Sequence, residues 1–286
     1  MIEFERAALG EGALVDPVVI AAFEGWNDAA DAASNAVDHL ISVWNARLVG
    51  EIDPEDYYDF QVNRPMVGSG PDGIRRITWP TTRIWLASPP DLPRDVILIR
   101  GLEPSMRWRQ FCDELIDMLG LLGSTMVVTL GALLADAPHT RPIPVSGTST
   151  EPDLLDRLQL EVSTYEGPTG IVGVFQEACV GEDLPAASFW AAVPHYVAQP
   201  PCPKATLALI HRIEELLQTP IPLGELPEDA RAWERGVDEL AAEDSDIADY
   251  VRSLEETRDT TDLPEASGEA IAREFERYLK RRDESE

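Results

Sequence analysis

Three short apolar runs constrain the fold of this 286-residue chain more than any other feature of its sequence. They read PVVIAAF at 17–23, DVILIRGL at 95–102 and STMVVTLGA at 124–132. A continuous apolar run of this length is typical of a strand that is buried on both faces of a sheet. A helical pattern follows each of the first two runs. Strand, helix and strand in this order predict βαβ units and therefore an α/β fold.

Helices are predicted where apolar residues recur at three- and four-residue spacing. The first has such a stripe from Ala29 to Trp44, with Asn27 or Asp28 as its N-terminal cap. The second covers 106–121. Further on, the pattern predicts a short helix at 170–180 and a longer one at 204–218.

The remaining strands are predicted at 47–52, at 189–197 with an interruption at Pro194, and in a hairpin. The hairpin is expected to join 74–80 to 83–88.

Gly68 to Gly73 matches the spacing GxGxxG. Because no buried strand precedes this segment and a hairpin pattern follows it, we interpret it as a loop and not as a dinucleotide site.

After residue 222 the composition changes to Ala, Asp and Glu, which divides the chain into a core at 1–222 and an acidic appendage at 223–286. An apolar stripe in the appendage is typical of a coiled coil, and a last helix with Ile271 to Leu279 is expected after a linker. The region is interpreted as a helical hairpin that packs on the body or on another subunit. An ordinary terminal helix pair that covers its own domain explains the pattern equally well. The stripe consists of Trp233, Val237, Leu240, Ile247, Val251 and Leu254.

The formal net charge of −29 and the isoelectric point near 4.3 exclude some classes of partner. Such a surface repels nucleic acid and anionic lipid, and it favours basic protein partners, although charge of this kind also serves solubility alone.

The three cysteines are widely spaced and form no CxxC pair, which argues against a disulfide framework and against structural zinc. The first residues do not resemble a signal peptide, and no apolar stretch is long enough to span a membrane. We therefore expect a cytoplasmic protein that binds neither nucleic acid nor membrane.

Polar side chains follow the predicted buried strands. In a parallel sheet they would share one edge, where ligands bind in α/β proteins. Asp136 and His139 could support acid–base chemistry or hold a metal, and Arg107 and Arg141 could hold an anion. These groups could equally cap helices and tie loops together. No catalytic residue, metal ligand or cofactor motif is assigned. The candidate ligand-binding residues are Glu24, Asn27, Glu103, Arg107, Asp136, His139, Arg141, Glu166 and Thr169.

Several segments, taken together and in order, resemble the bacterial branch of the proteasome assembly chaperone 2 family. The resemblance implies a three-layer, phosphorylase/hydrolase-like α/β sandwich around a mixed sheet, with a helical appendage in this chain. It also implies self-assembly, with a trimer as the expected homo-oligomer. Eukaryotic relatives hold proteasome α-subunits during ring assembly, and no enzymatic activity is established for the family as a whole. The segments are FEGWNDA at 23–29, GLEP at 101–104, TLGALLADAPHTRP at 129–142, YEGPTG at 165–170, WAAVPHY at 190–196 and PKAT at 203–206.

The sequence therefore favours a protein-binding, chaperone-like role, with proteasome subunits as partners, over catalysis. An enzyme or sensor that uses the strand-end residues on a nucleoside-like or anionic ligand is the alternative. A third hypothesis is a homo-oligomer whose C-terminal region serves only assembly. Chaperones of this kind can dock on proteasome rings through a terminal hydrophobic-Tyr-any motif. This chain ends in RDESE, with Tyr278 inside the predicted last helix, so docking by such a tail is not expected.

Overall fold

A mixed eight-stranded sheet forms the middle of the molecule in the computed structural model, which describes residues 2–4, 13–70 and 72–260. The strand order is β1-β3-β6-β7-β2-β8-β10-β9, and β4 pairs with β5 in a separate two-stranded ribbon. The strands are β1 (Ile2–Phe4), β2 (Val18–Glu24), β3 (Arg47–Ile52), β4 (Met66–Ser69), β5 (Arg75–Thr78), β6 (Arg83–Ala87), β7 (Val96–Leu102), β8 (Met126–Ala135), β9 (Val145–Ser149) and β10 (Ala186–Pro194).

The three apolar runs of the sequence form adjacent parallel strands at the centre of this sheet. β2 pairs with β7 on one side and with β8 on the other, and β10 extends the parallel set beyond β8. β6 runs antiparallel to β7, and β9 antiparallel to β10. The last residues of β2, β7, β8 and β10 therefore lie at one edge of the sheet, called here the carboxyl edge.

Helices cover both faces of the sheet, which gives the expected three-layer α/β architecture. Val18, Ile20 and Ala22 of β2 pack with α1, α3 and α5, whereas the alternate residues of the same strand pack with α2 and α4. Because successive side chains of a strand point to opposite faces, both faces of β2 must be apolar. The helices are α1 (Ala32–Val43), α2 (Trp108–Leu121), α3 (Pro152–Leu158), α4 (Ile171–Gly181), α5 (Pro203–Leu217), α6 (Leu226–Glu243) and α7 (Ser245–Thr260).

Asp31 occupies the N-cap position of α1 and makes no side-chain cap bond, but the side chain of Asp28, one of the two predicted caps, reaches the start of the helix from four residues before it. The two carboxylate oxygens of Asp28 accept hydrogen bonds from the backbone N–H groups of Ala33 (2.6 Å) and Ser34 (3.2 Å). These are donors that a helix start leaves unsatisfied. Burial raises the pKa of Asp28 from its ordinary value of 3.8 to about 6.

The predicted hairpin between 74–80 and 83–88 is wrong. β5 pairs with β4, and β6 pairs with β3 and β7 in the main sheet. The tight turn lies instead in the glycine-rich segment, where Gly73 has a φ of +75°. Thr82 is buried, and its carbonyl accepts a hydrogen bond from Ile52 N–H, which holds this part of the chain in the sheet. The predicted loop is therefore only partly right, because Gly68 and Ser69 end β4, whereas Gly70 and Gly73 lie in the turn of the β4–β5 ribbon.

The stripe predicted over the C-terminal region is divided between α6 and α7. The side chain of Asp244 accepts hydrogen bonds from the N–H groups of Asp246 (2.9 Å) and Ile247 (3.3 Å), so it caps a new helix instead of continuing the old one. α6 packs against α5. The predicted last helix at 271–279 lies outside the described residues. None of the helices that the structure describes is long and apolar enough to cross a membrane.

Candidate functional site

The strand-end polar residues separate into two groups on the carboxyl edge. Glu24, Asn27 and Glu103 follow β2 and β7 and form the first group. Asp136 and His139 follow β8 and belong to the second. The two groups differ in what they contact.

Glu103 joins three segments of the chain in the first group. Its Oε1 accepts hydrogen bonds from Asn27 Nδ2 (2.8 Å) and from Ile171 N–H (2.9 Å) at the start of α4. The carbonyl of Asn27 in turn accepts from Ala132 N–H at 2.8 Å. Gly170 allows this arrangement, because a Cβ there would lie 2.2 Å from Asn27 Oδ1. The geometry of the first group supports a structural role, because it holds the ends of β2 and β7 and the start of α4 together.

Beside Glu103 lies an open cleft of about 360 Å³. Glu24 on its wall forms an ion pair with Arg100 at 2.5 Å, and Arg100 also contacts Asp38 at 2.7 Å. Two carboxylates, those of Glu24 and Glu103, line the cleft, and carboxylate oxygens suit a ligand that donates hydrogen bonds. The lining residues are Glu24, Gly25, Asn63, Leu102, Glu103, Pro104, Ser105 and Trp108.

His139 is the centre of the second group, and only 1% of it is exposed. Its Nδ1 lies 2.7 Å from the hydroxyl of Tyr196, and its Nε2 lies 3.0 Å from Asp238 Oδ1 on α6. The same hydroxyl accepts a hydrogen bond from His139 N–H, and burial raises the pKa of Tyr196 to about 12, which keeps it a phenol. The hydroxyl can thus donate to Nδ1 in the tautomer in which Nε2 donates to the carboxylate of Asp238.

The loop after β8 is covered by α6 and α7. Asp136 accepts a hydrogen bond from Tyr250 of α7 at 3.0 Å, and Arg141 lies 3.2 Å from Glu255 of the same helix. Lys204 donates to Glu234 of α6 at 2.6 Å and also to the carbonyl of His139. These contacts, together with His139, fix the C-terminal helices on the body of the protein.

The structure does not bring the other predicted residues into one pocket with these two groups. Arg107 forms an ion pair with Asp56 at 2.6 Å, and its side chain is about half exposed. Glu166 and Thr169 are exposed in the segment before α4. Arg107 and Arg141 each form an ion pair with a carboxylate of the chain, Asp56 and Glu255 respectively. A ligand-binding role for the nine residues remains a prediction.

Sequence reasoning did not select the residues that contact His139 and Arg141. Tyr196 lies within the WAAVPHY segment, but no spacing rule connects it to position 139. Asp238 and Glu255 are two of many acidic residues in the appendage, and only the docking of α6 and α7 distinguishes them.

All three cysteines lie in the described part of the chain and are free and buried. Cys112 and Cys179 are buried, and burial raises the pKa of each thiol to about 12; that of Cys202 is raised to about 11. Such thiols are poor nucleophiles at neutral pH. Within the part of the chain that the structure describes, no three His, Cys, Asp or Glu side chains are grouped so as to hold a metal ion.

Comparison with known proteins identifies the family. A family model described as the PAC2 family matches residues 22–241, which include both groups of the carboxyl edge and most of α6. The chain belongs to the PAC2 family. A search of curated proteins found no match.

Solved structures of PAC2 proteins are similar to this chain. A PAC2 family protein from Streptomyces avermitilis is 60% identical, with a TM-score of 0.78, and the alignment covers 82% of this chain and 100% of that one. A proteasome-assembly chaperone homologue from Mycobacterium tuberculosis is 55% identical, with a TM-score of 0.75 and coverage of 82% and 99%. An archaeal homologue of proteasome-assembly chaperone from Pyrococcus furiosus, 15% identical with a TM-score of 0.61 and coverage of 92% and 99%, shares the fold.

Proposed function

We propose that this PAC2 protein acts as a chaperone-like binding protein in proteasome assembly in the cytoplasm. The observation that carries the proposal is the 55% identity, over 82% of the chain, to a protein described as a proteasome-assembly chaperone homologue.

The state of the polar groups supports binding over catalysis. His139 has a partner at both ring nitrogens, and Glu103 accepts two hydrogen bonds that join three segments. A general base needs access to the proton that it abstracts, and His139 is almost fully buried. The acidic surface, with a net charge of −29, favours basic protein partners.

The test is recovery of proteasome α-subunits with the full chain. The tagged protein is purified from its own cells, and co-purifying proteins are identified by mass spectrometry. A tagged acidic protein of unrelated fold is the control for charge. We expect enrichment of α-subunits over this control and recovery of the PAC2 protein when an α-subunit carries the tag. Recovery of unrelated proteins alone would contradict the proposal.

A small-molecule site is the second candidate, and the cleft beside Glu103 favours it. The cleft presents oxygen acceptors, and the amide oxygen of Asn27 is buried behind it with no hydrogen-bond partner among the described residues. A nucleoside-like ligand with amino groups would match these acceptors better than an anion would.

Thermal unfolding tests this site, because a ligand that binds the folded state raises the melting temperature. Purified protein is screened with nucleosides and with simple amines. Asn63→Ala, which changes a partly buried residue of the cleft wall, should reduce any shift, and His211→Ala on α5 should not. The absence of a shift with every compound would remove this candidate and leave the chaperone proposal intact.

A further inference from the structure

The β4–β5 ribbon has all eight of its strand residues exposed. Val67 faces Ile77 across the ribbon, and Met66 faces Thr78 in the next pair, so apolar side chains lie on both faces. An isolated two-stranded ribbon is marginally stable in water, and exposed apolar patches mark interaction sites. The exposed apolar residues in the ribbon and next to it, called here the ribbon surface, are Val62, Met66, Val67, Ile74 and Ile77, all more than half exposed.

The segment that contains the ribbon surface is basic, although the protein as a whole is strongly acidic. The segment 60–80 contains Arg64, Arg75 and Arg76 and a single acidic residue, Asp72. Its net charge is therefore +2, whereas the whole chain carries −29. Opposite charge favours docking of the ribbon on the acidic surface of a second molecule of this chain.

The C-terminal helices provide an acidic surface with an exposed apolar residue. Residues 226–260 contain twelve acidic and four basic residues. On α6, Val237 and Ala241 are buried, but 56% of Leu240 is exposed, between the exposed Glu239 and Glu243. Leu240 with these two carboxylates is called here the helix surface.

The two surfaces lie on opposite flanks of the carboxyl edge. The ribbon leaves the sheet after β3 and returns at β6, whereas α6 and α7 cover the loops that follow β8 and β10. β7 and β2 separate β6 from β8, a distance of roughly 15 Å at the usual strand spacing.

We propose that the ribbon surface of one copy docks on the helix surface of a second copy. Each copy then presents two different surfaces, and such a head-to-tail contact closes into a ring when the rotation between copies permits it. The proposal does not depend on the role in proteasome assembly.

Sedimentation of the full chain over a dilution series tests the contact. Val67→Glu with Ile77→Glu places two carboxylates on the ribbon, and we expect it to raise the dissociation constant at least about tenfold. Leu121→Glu is the matched control: Leu121 is 89% exposed at the far end of α2, so this variant should associate like wild type. Thermal unfolding at low concentration should be the same for both variants, since all three side chains are exposed.

Mixing of two variants tests which surfaces meet. Leu240→Glu on the helix surface should also weaken self-association about tenfold or more. The ribbon variant and the Leu240 variant should bind each other when mixed, because each retains the surface that the other lacks. A wild-type protein that stays monomeric, a ribbon variant that associates normally, or a mixture that does not associate would each overturn the proposal. None of these outcomes bears on recovery of proteasome subunits.

Discussion

The two flanks of the carboxyl edge differ in what covers them. On the flank of β8 and β10, α6 and α7 lie over the loops and provide partners for His139, Asp136 and Arg141. On the flank of β3 and β6, the β4–β5 ribbon extends with its apolar side chains exposed. Both segments combine apolar and charged residues, but the ribbon segment is basic and the C-terminal helices are acidic. A polar residue that follows a buried strand can therefore serve the packing of the chain itself. An exposed apolar ribbon has no such packing partner in its own chain among the described contacts, and we expect it to bind another molecule.

The largest effect is expected where α6 packs against the body. Val237 is 4% exposed, so Val237→Asp places an unpaired charge in an apolar contact and should lower the free energy of unfolding by about 3 kcal/mol. Urea unfolding measures this value. Leu240→Asp on the same helix should change it by less than about 0.5 kcal/mol in monomeric protein. Equal effects of the two changes would mean that α6 does not pack as described.

A somewhat smaller loss is expected for His139→Ala. The change removes both ring hydrogen bonds and leaves Tyr196 and Asp238 without this partner, which should cost about 2 kcal/mol. His211→Ala is the control, because His211 is half exposed and contacts only Glu214 among the contacts described for it. Limited proteolysis should also cut the His139 variant faster between α5 and α7. If proteolysis is unchanged, His139 does not fix the C-terminal helices.

The desolvation of the carboxyl group of Asp28, at the carboxyl edge, can be measured from the pH dependence of stability. Its folded pKa, about 6, lies above the ordinary value of 3.8, so its contribution to stability is complete below about pH 4 and is lost as the pH rises towards 6. The difference in unfolding free energy between wild type and Asp28→Asn should therefore fall by about 2 kcal/mol from about pH 4 to about pH 7. A pH-independent difference would show that the carboxyl group is not desolvated.

The smallest effect is expected in the ribbon. Ile77→Thr keeps a β-branched residue in an exposed strand, so it should change the unfolding free energy of monomeric protein by less than about 0.5 kcal/mol. Ile84→Thr in the buried strand β6 is the contrasting change and should cost more than about 1 kcal/mol. A cost for Ile77→Thr as large as that for Ile84→Thr would show that the ribbon packs against its own chain. The contrast between the two flanks would then be wrong.

The amino-acid sequence alone determined the central strands, most of the helices and, as one of two candidates, the side chain that caps the start of α1. Runs such as 17–23 remain apolar on both strand faces, and few other structures can bury them. The family resemblance agrees with the PAC2 match. These properties are local or periodic, so they can be predicted from neighbouring residues.

Only the tertiary structure decided where β5 pairs, where the C-terminal stripe divides and which residues surround His139. The pairing of β5 with β4 depends on a turn at Gly73, and the break at Asp244 depends on a cap that competes with a continuous helix. Asp238 lies 99 residues from His139 along the chain, and packing of α6 on α5 brings them to 3.0 Å. Contacts between distant segments depend on how whole elements dock, and this information is not contained in any one stretch of sequence.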